Sequence, residues 1–349
     1  MQALGVSLRP HIKTAKSVEV ARLIMHGGSG PITVSTLREA EYFFAGGFAD
    51  ILYAVSVVPG KLDRVRGLMN AGCDLKLILD DAATAAEVAN AGRETGATFK
   101  VLIEIDCDGH RAGLRPDDPA VTALAKSIHE SDGIEFLGLM THAGDSYSSR
   151  TTDEIRGHAA REVLSIVSAA GRIAAQGIPV PIRSVGSTPT ASFVDDLSGI
   201  SEVRAGVYVF QDLVMVGLGV CKLNDIAMSV LTTVVSHKRD HQRLIVDAGG
   251  IALSKDRGTA EQALDCGYGL VCDAASGIVI DGLIVSDVNQ EHGLIGSSER
   301  ELDFSRFPIG SQLRILPNHA CMTAAAHECY QVVAGDGRVQ DVWQRCQGW

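Results

Sequence analysis

The stretch from Asp74 to Asp106, DLKLILDDAATAAEVANAGRETGATFKVLIEID, decides the fold. DLKLILD at 74–80 and FKVLIEID at 99–106 are short strand-type runs. Between them, Asp81 to Thr95 is rich in Ala and Glu at helical spacing. Strand, helix, strand is the repeating unit of a parallel sheet. The same alternation extends in both directions, through 7–12 (SLRPHI), 31–35 (PITVS), 50–57 (DILYAVSV), 134–141 (IEFLGLMT), 182–186 (IRSVG) and 202–210 (EVRAGVYVF). Asp153 to Ala175 supplies another helical stretch. Eight strands alternating with helices favour a (β/α)8 TIM-type barrel over an open doubly wound sheet. After about residue 221 the alternation stops. The runs 226–236, 243–248 and 312–316 read as strands between Gly-, Asp- and Ser-rich turns. The expectation is an α/β barrel over 1–220 followed by a mostly β domain over 221–349.

Composition narrows the function classes. At 349 residues, 46% hydrophobic and 21% charged, the chain can bury a large core without disulfides or a structural metal. A formal net charge of −11 argues against nucleic acid or an anionic membrane as partner. The eight cysteines are scattered and form no disulfide framework. No signal peptide and no long uncharged apolar run is seen, so a cytoplasmic location is expected.

Catalytic residues of such barrels sit at the C-terminal ends of strands, and those ends are chemically rich here. The first carries His11 and Lys13. The fifth runs into Asp106-Cys107-Asp108-Gly109-His110-Arg111. The sixth ends in Thr141-His142-Ala143-Gly144-Asp145-Ser146-Tyr147, the seventh in Gly186-Ser187-Thr188-Pro189-Thr190. The eighth is read as containing Arg204 and Tyr208. Lys13 is the covalent candidate, because a lysine amine beside cations or in a dry site attacks an aldehyde; taken alone it reads first as a solvated loop lysine. Gly186-Ser187-Thr188 reads as a phosphate cradle at a helix start, or as an ordinary helix cap. Arg111 and Arg204 compete for a cofactor ring nitrogen, unless either is a plain salt-bridge partner.

Near the other end, His319-Ala320-Cys321 places an imidazole and a thiol two residues apart, on one side of an extended segment. Nitrogen plus thiolate suits Zn²⁺ best among common metals, and two ligands leave positions open. His327 and Cys329 repeat the spacing, so the four could instead close a structural zinc site; a buried Cys beside an unrelated His is the plainer alternative. His129, His158, His237 and His241 read as surface residues. A lysine able to form a Schiff base and a soft metal pair together suggest pyridoxal phosphate (PLP) chemistry assisted by a divalent metal.

Taken together, these motifs resemble the fold type III PLP enzymes of the D-serine dehydratase, D-threo-3-hydroxyaspartate dehydratase and D-threonine aldolase group. The resemblance rests on Arg9-Pro10-His11-Ile12-Lys13-Thr14, Glu104-Ile105-Asp106 through Arg111, Thr141-His142-Ala143-Gly144 through Tyr147, Gly186 to Thr190, Val203 to Tyr208, and Pro317 to Cys321. It implies an alanine-racemase-like barrel and a β domain carrying the metal. It implies Lys13 as the Schiff-base lysine and His11, Arg111, Tyr147, Gly186, Ser187, Thr188, Arg204 and Tyr208 around PLP. Arg111 is the favoured partner of the ring nitrogen. Tyr147 and His142 would shape the catalytic pocket. His319 and Cys321 would hold Zn²⁺, with Mn²⁺ or Co²⁺ as substitutes. A homodimer acting on a small D-3-hydroxyamino acid is implied as well. Aldolases of the group usually carry His-x-Asp at the metal, so His319-x-Cys321 favours a dehydratase giving a 2-keto acid and ammonia. D-threonine aldolase is the runner-up, and a non-catalytic PLP-binding protein comes third. One feature departs from the group: Met1 lies twelve residues before Lys13, where a strand and helix usually precede. The expectation is therefore a misassigned start or a β domain short of one strand, with an unpaired edge.

Overall fold

Eight parallel strands form the sheet of the N-terminal unit: β1 (Ser7–Leu8), β2 (Ile32–Val34), β3 (Asp50–Tyr53), β4 (Asp74–Leu79), β5 (Phe99–Ile105), β6 (Ile134–Thr141), β7 (Ile182–Val185) and β8 (Glu202–Val203). Their order is β1-β8-β7-β6-β5-β4-β3-β2. A His11–Thr33 bridge joins the two outer strands, with Thr33 N–H donating to Pro10 O at 2.8 Å and Ile12 N–H to Thr33 O at 3.0 Å. The curled sheet is thus the (β/α)8 type the alternation predicts. This computed structural model describes residues 1–109, 111–297, 301–335 and 337–349; His110 of the fifth strand end lies outside them. The chain divides into two units, Met1–Gly206 with Cys346–Trp349, and Val207–Arg345.

One helix follows each of the first seven strands: α1 (Val18–Ile24), α2 (Leu37–Ala45), α3 (Leu62–Asn70), α4 (Ala82–Thr95), α5 (Pro119–His129), α6 (Thr152–Ala174) and α7 (Thr188–Phe193). Their starts are set by side chains that accept from otherwise orphaned N–H groups. Thr36, Asp81, Asp118, Thr151 and Ser187 cap α2, α4, α5, α6 and α7.

The period of two along the strands sorts side chains into two populations. Leu75, Leu77 and Leu79 of β4, with Val101 and Ile103 of β5, join the main core with helical residues such as Val65 and Val88. Leu52, Ile78, Leu102 and Met140 form a separate cluster on the other sheet face. Below it lies an ionic layer of the same parity. Arg9 is 4% exposed and bonds Asp50 at 2.7 Å and Glu202 at 2.8 Å, while Lys76 bonds Asp50 and Asp74, each at 2.7 Å. Continuing the alternation upward brings His11, Glu104 and His142 to the C-terminal end of the strands.

β8 is shorter than the run 202–210, although β1 stays bonded beyond its end, with Arg9 N–H donating to Val203 O at 2.9 Å and His11 N–H to Ala205 O at 2.8 Å. Gly186, at φ 135°, turns the chain away after β7, and a Cβ there would lie 2.0 Å from Arg204 O. Arg204 therefore follows the strand, and Tyr208 sits in a short 3₁₀ turn over Val207–Val209, not within a strand.

The second unit is mostly β, as expected, but holds more strands than the three runs suggest. It contains α8 (Leu213–Gly217), β9 (Val230–Lys238), β10 (Arg243–Val246), α9 (Gly250–Leu253), β11 (Leu270–Asp273), β12 (Val279–Val288), β13 (Gly293–Ser297), β14 (Gln312–Leu316), α10 (Ala320–Ala324), β15 (Cys329–Val333) and β16 (Val339–Gln344). Strands β9 to β14 close into an antiparallel barrel, β10-β13-β12-β11-β14-β9. Val234, Leu244, Val246, Val271, Val285, Ile295 and Ile315 fill its core. The expected unpaired edge is absent from this six-stranded sheet, because closure pairs every member. β15 and β16 form a separate hairpin.

Candidate active site

At the end of β1 the chain enters a turn that exposes Lys13. The Lys13 backbone N–H donates to His11 Nδ1 at 3.4 Å. Burial pushes the His11 imidazole well below its ordinary pKa, helped by the charges of Lys13 and Arg204, so the ring is neutral. His142, after β6, behaves alike. Its Nδ1 donates to Gly186 O at 2.8 Å, and burial, with Lys13, Arg111 and Arg204 nearby, holds its pKa down to about 3. A donor at Nδ1 leaves Nε2 as the acceptor of this neutral ring. Tyr147 stands beside it, ring centroids 6.1 Å apart.

The phosphate-cradle reading needs one correction of detail. Close backbone approach at Gly186 is to Arg204, as its packing shows, and the N–H groups of Gly186 and Ser187 are already used. Gly186 N–H donates to Glu162 Oε1 at 2.7 Å and Ser187 N–H to Thr190 Oγ1 at 3.1 Å. The Ser187 hydroxyl caps α7, accepting from Thr190 N–H at 3.2 Å, and meets Ser146 Oγ at 2.9 Å. Gly186 and Ser187 thus shape the loop, and Thr188 opens the helix.

The two arginines differ sharply. Arg204 is 3% exposed; its guanidinium donates to Ser184 Oγ at 2.9 Å and to Thr141 O. Arg111 is exposed and lies against Gly144, where a Cβ would be 3.3 Å from its guanidinium carbon. Of the two, Arg111 is the exposed one. Glu104 was not among the expected site residues. Burial raises its pKa to about 7 against the opposing field of Arg204, with Ser56 Oγ donating to it at 3.3 Å.

In the second unit, the run Pro317 to Cys321 is clamped from two sides. Leu213 N–H donates to Pro317 O at 3.1 Å, and Ala320 N–H to the buried Asp212 at 3.0 Å. Asn318 donates to Asp256 O at 3.2 Å and Gly267 O at 2.5 Å, and accepts from Thr259 Oγ1 at 2.9 Å. His319 is therefore the N-cap residue of α10 and Cys321 lies inside that helix; the segment is not extended throughout. The pair still meets. Burial alone would lower the His319 pKa, but Asp256, Cys321 and Asp212 outweigh it and raise it to about 10. Asp256 Oδ2 accepts from His319 Nδ1 at 2.7 Å, which assigns Nε2 to any metal. His327 does not join them, since its Nε2 donates to Ala252 O at 3.0 Å, and no four-residue His/Cys cluster exists among the described residues.

Two histidines read as surface residues are engaged. His237 Nε2 donates to Phe307 O at 2.7 Å. His158 groups with Asp108 and Asp145, one ligand atom from each within 4.8 Å, while Arg161 bonds the His158 ring at 2.6 Å. Tyr208 has its phenol pKa raised by burial to about 12.

The residues present fit both groups that the resemblance implies. The end of the barrel collects an amine, a guanidinium, a hydroxyl-rich helix start and two neutral imidazoles, a set compatible with PLP. The β unit offers an oriented imidazole and a thiol, a donor set for a borderline-soft divalent ion.

An eight-stranded α/β barrel followed by a closed β domain, with a strand-end lysine in one and a His-x-Cys pair in the other, defines a PLP enzyme of fold type III. Residues 1–213 match the family described as alanine racemase, N-terminal domain, and residues 227–333 the putative serine dehydratase domain. The chain is 51% identical to D-threo-3-hydroxyaspartate dehydratase of Delftia sp. (strain HT23), over 100% of this chain and 92% of that one. The solved structure of the Delftia sp. HT23 enzyme superposes with a TM-score of 0.97, at 51% identity and the same coverage. A D-serine dehydratase of Dictyostelium discoideum is 32% identical, covering 99% and 91%. The structure of a D-threonine aldolase from Filomicrobium marinum gives a TM-score of 0.83 at 27% identity, covering 99% and 89%. The metal-free form of a cysteine-to-alanine mutant of D-threo-3-hydroxyaspartate dehydratase is similar too, with a TM-score of 0.96 at 50% identity, covering 100% and 92%. The chain belongs to the D-serine dehydratase, D-threo-3-hydroxyaspartate dehydratase and D-threonine aldolase family of PLP enzymes.

Proposed function

We propose that the protein is a PLP- and metal-dependent dehydratase of D-3-hydroxyamino acids, with D-threo-3-hydroxyaspartate as first candidate substrate and a 2-keto acid and ammonia as products. The observation that carries this reading is the His319–Cys321 pair, its imidazole backed by Asp256 at 2.7 Å. Full-length similarity to a dehydratase of that substrate supports it.

In this reading residues 1–220 bind the cofactor and 221–349 carry the metal. When bound, PLP supplies the electron withdrawal that acidifies the substrate α-carbon, and the metal supplies Lewis acidity at the β-hydroxyl. Lys13 Nζ would hold the cofactor, and its amine is the base that would take the α-proton. Thr188 meets the phosphate in the loop that Gly186 and Ser187 shape, with Tyr208 as a further cofactor contact. Arg111 would serve the ring nitrogen, and Arg204 would act on the site through its field. His11 and His142 stay neutral, and His142 Nε2 with Tyr147 orients the ligand. Zn²⁺ suits the nitrogen–sulfur donors best, with Mn²⁺ or Co²⁺ as substitutes. A cytoplasmic homodimer is proposed from the family resemblance; no described helix is long and apolar enough to cross a membrane.

The test is product analysis with D-threo-3-hydroxyaspartate, D-serine and D-threonine, each with and without a chelator. Keto acid and ammonia that vanish on chelation are expected. Glycine and acetaldehyde from D-threonine would replace this reading by the aldolase one, which the aldolase-like fold favours as second choice. No product from any of them would sink both.

A further inference from the structure

A buried carboxylate behind the candidate site has entered so far only as the acceptor of Gly186 N–H. Glu162 lies on α6 and is 2% exposed. Its Oε1 accepts from Ala143 N–H at 3.1 Å and Gly186 N–H at 2.7 Å, and its Oε2 accepts from Thr190 Oγ1 at 2.9 Å. These donors come from the ends of two neighbouring strands and from α7. The Gly186 peptide is thereby gripped at both ends, its N–H by Glu162 and its carbonyl by His142 Nδ1 at 2.8 Å. Ala143, also held by Glu162, is the residue directly after His142.

We propose that Glu162 is a positioning residue for His142: by fixing the Gly186 peptide and the Ala143 backbone, it holds the ring as the Nδ1–H tautomer with Nε2 as acceptor. The inference rests on the reading above only in assigning His142 to the active site.

In this geometry Glu162 accepts at both oxygens. An ionised carboxylate is acceptor-only, whereas an amide presents donors on one side. Thr190 Oγ1 already accepts from Ser187 N–H at 3.1 Å, so its own proton is what it offers Glu162. Glutamine in the same pose would turn an N–H toward that oxygen and force the hydroxyl to rotate; flipped, it would turn its N–H groups on Gly186 and Ala143. Burial opposes ionisation here, and the hydrogen bonds from Gly186, Thr190 and Ala143, with the field of Arg204, offset part of that cost.

The test uses full-length protein with ¹⁵N-labelled histidine, the His142 signals being assigned with His142→Asn. Wild-type apoprotein is expected to show one neutral Nδ1–H tautomer for His142 across neutral pH. Glu162→Gln is expected to populate the second tautomer and to weaken PLP binding by about threefold to tenfold. Glu162→Leu is expected to lose the preference and weaken binding by about tenfold or more. If Glu162→Gln leaves both the ring spectrum and PLP affinity at wild-type values, the proposal fails, whether or not Glu162→Leu folds. A lowered Tm with an unchanged ring spectrum would show a merely structural role and also overturn it. Failure of wild-type protein to bind PLP would sink the cofactor reading, while the apoprotein spectrum would still judge Glu162.

Discussion

His142 and His319 are both largely buried, and both engage a partner through Nδ1, yet they are driven in opposite directions. His142 donates to a neutral carbonyl, Gly186 O, at 2.8 Å, and its pKa falls to about 3. His319 faces a carboxylate, Asp256 Oδ2, at 2.7 Å, and its pKa rises to about 10. Desolvation lowers both; the charge of the partner and of the neighbours decides the result. Lys13, Arg111 and Arg204 surround His142, whereas Asp256, Cys321 and Asp212 surround His319. One environment makes a neutral acceptor, the other an imidazole that holds its proton at neutral pH until something displaces it.

The largest expected effects separate the two regions completely. Lys13→Ala should abolish the visible absorbance of bound PLP and cut turnover by at least about 10²- to 10⁴-fold, leaving bound metal unchanged. A full visible band in that variant would remove Lys13 from its role. Cys321→Ala should do the reverse, losing metal and turnover while the PLP band persists. Metal content equal to wild type would break the assignment of the β-unit site. A smaller effect tests the carboxylate behind the imidazole: Asp256→Asn should weaken metal binding by about 10- to 100-fold and leave PLP absorbance intact. Metal affinity unchanged in Asp256→Asn would mean that the contrast between the two histidines has no bearing on the metal.

What the sequence disclosed follows the range of the interactions involved. Strands β4 to β6 are legible because short apolar-rich runs lie between capped helices, with Asp81 and Thr151 marking the helix starts. Strands β11 to β13 escape notice because closure of the small barrel tolerates Gly282, Gly293 and Gly296 within strands and shifts register within β11–β12 and β12–β13. Lys13 and the His319-x-Cys321 pair are local patterns, so spacing reveals them. Asp256 is 63 residues from His319, and no spacing rule joins them. Two signals were present but unused. Glu104 shares strand parity with Leu102, which is buried inside the sheet. Glu162 sits on the stripe of α6 that buries Ile155, Ala159, Ile166, Ala169 and Ile173, where a charge needs a specific partner.

The histidine contrast also has a pH signature. With a folded pKa near 3 against an ordinary 6.5, His142 binds its proton only in the unfolded chain over that window. Its contribution to stability is therefore present above pH 6.5 and lost as pH falls, by up to about 1.4 kcal/mol per pH unit. Urea unfolding of the apoprotein from pH 7 to pH 4.5 should show this slope, and His142→Asn should remove that part of it. Equal slopes would mean that burial and the neighbouring cations do not keep His142 neutral.

Glu104 supplies the smallest effect, of opposite sign. Burial raises its carboxyl to about 7 while Asp80 adds repulsion and Arg204, Ser56 and Arg111 oppose the shift. The folded state thus holds this proton more tightly than the unfolded one. Its contribution is full below about pH 4.5 and is lost as pH rises through 7. Glu104→Gln should mimic the protonated form, so the variant should match wild-type apoprotein near pH 4.5. It should exceed wild type at pH 8 by on the order of 1–2 kcal/mol. A variant less stable than wild type at pH 8 would show that the arginines hold Glu104 ionised. Its negative charge would then offset the arginines and work against a neutral His142.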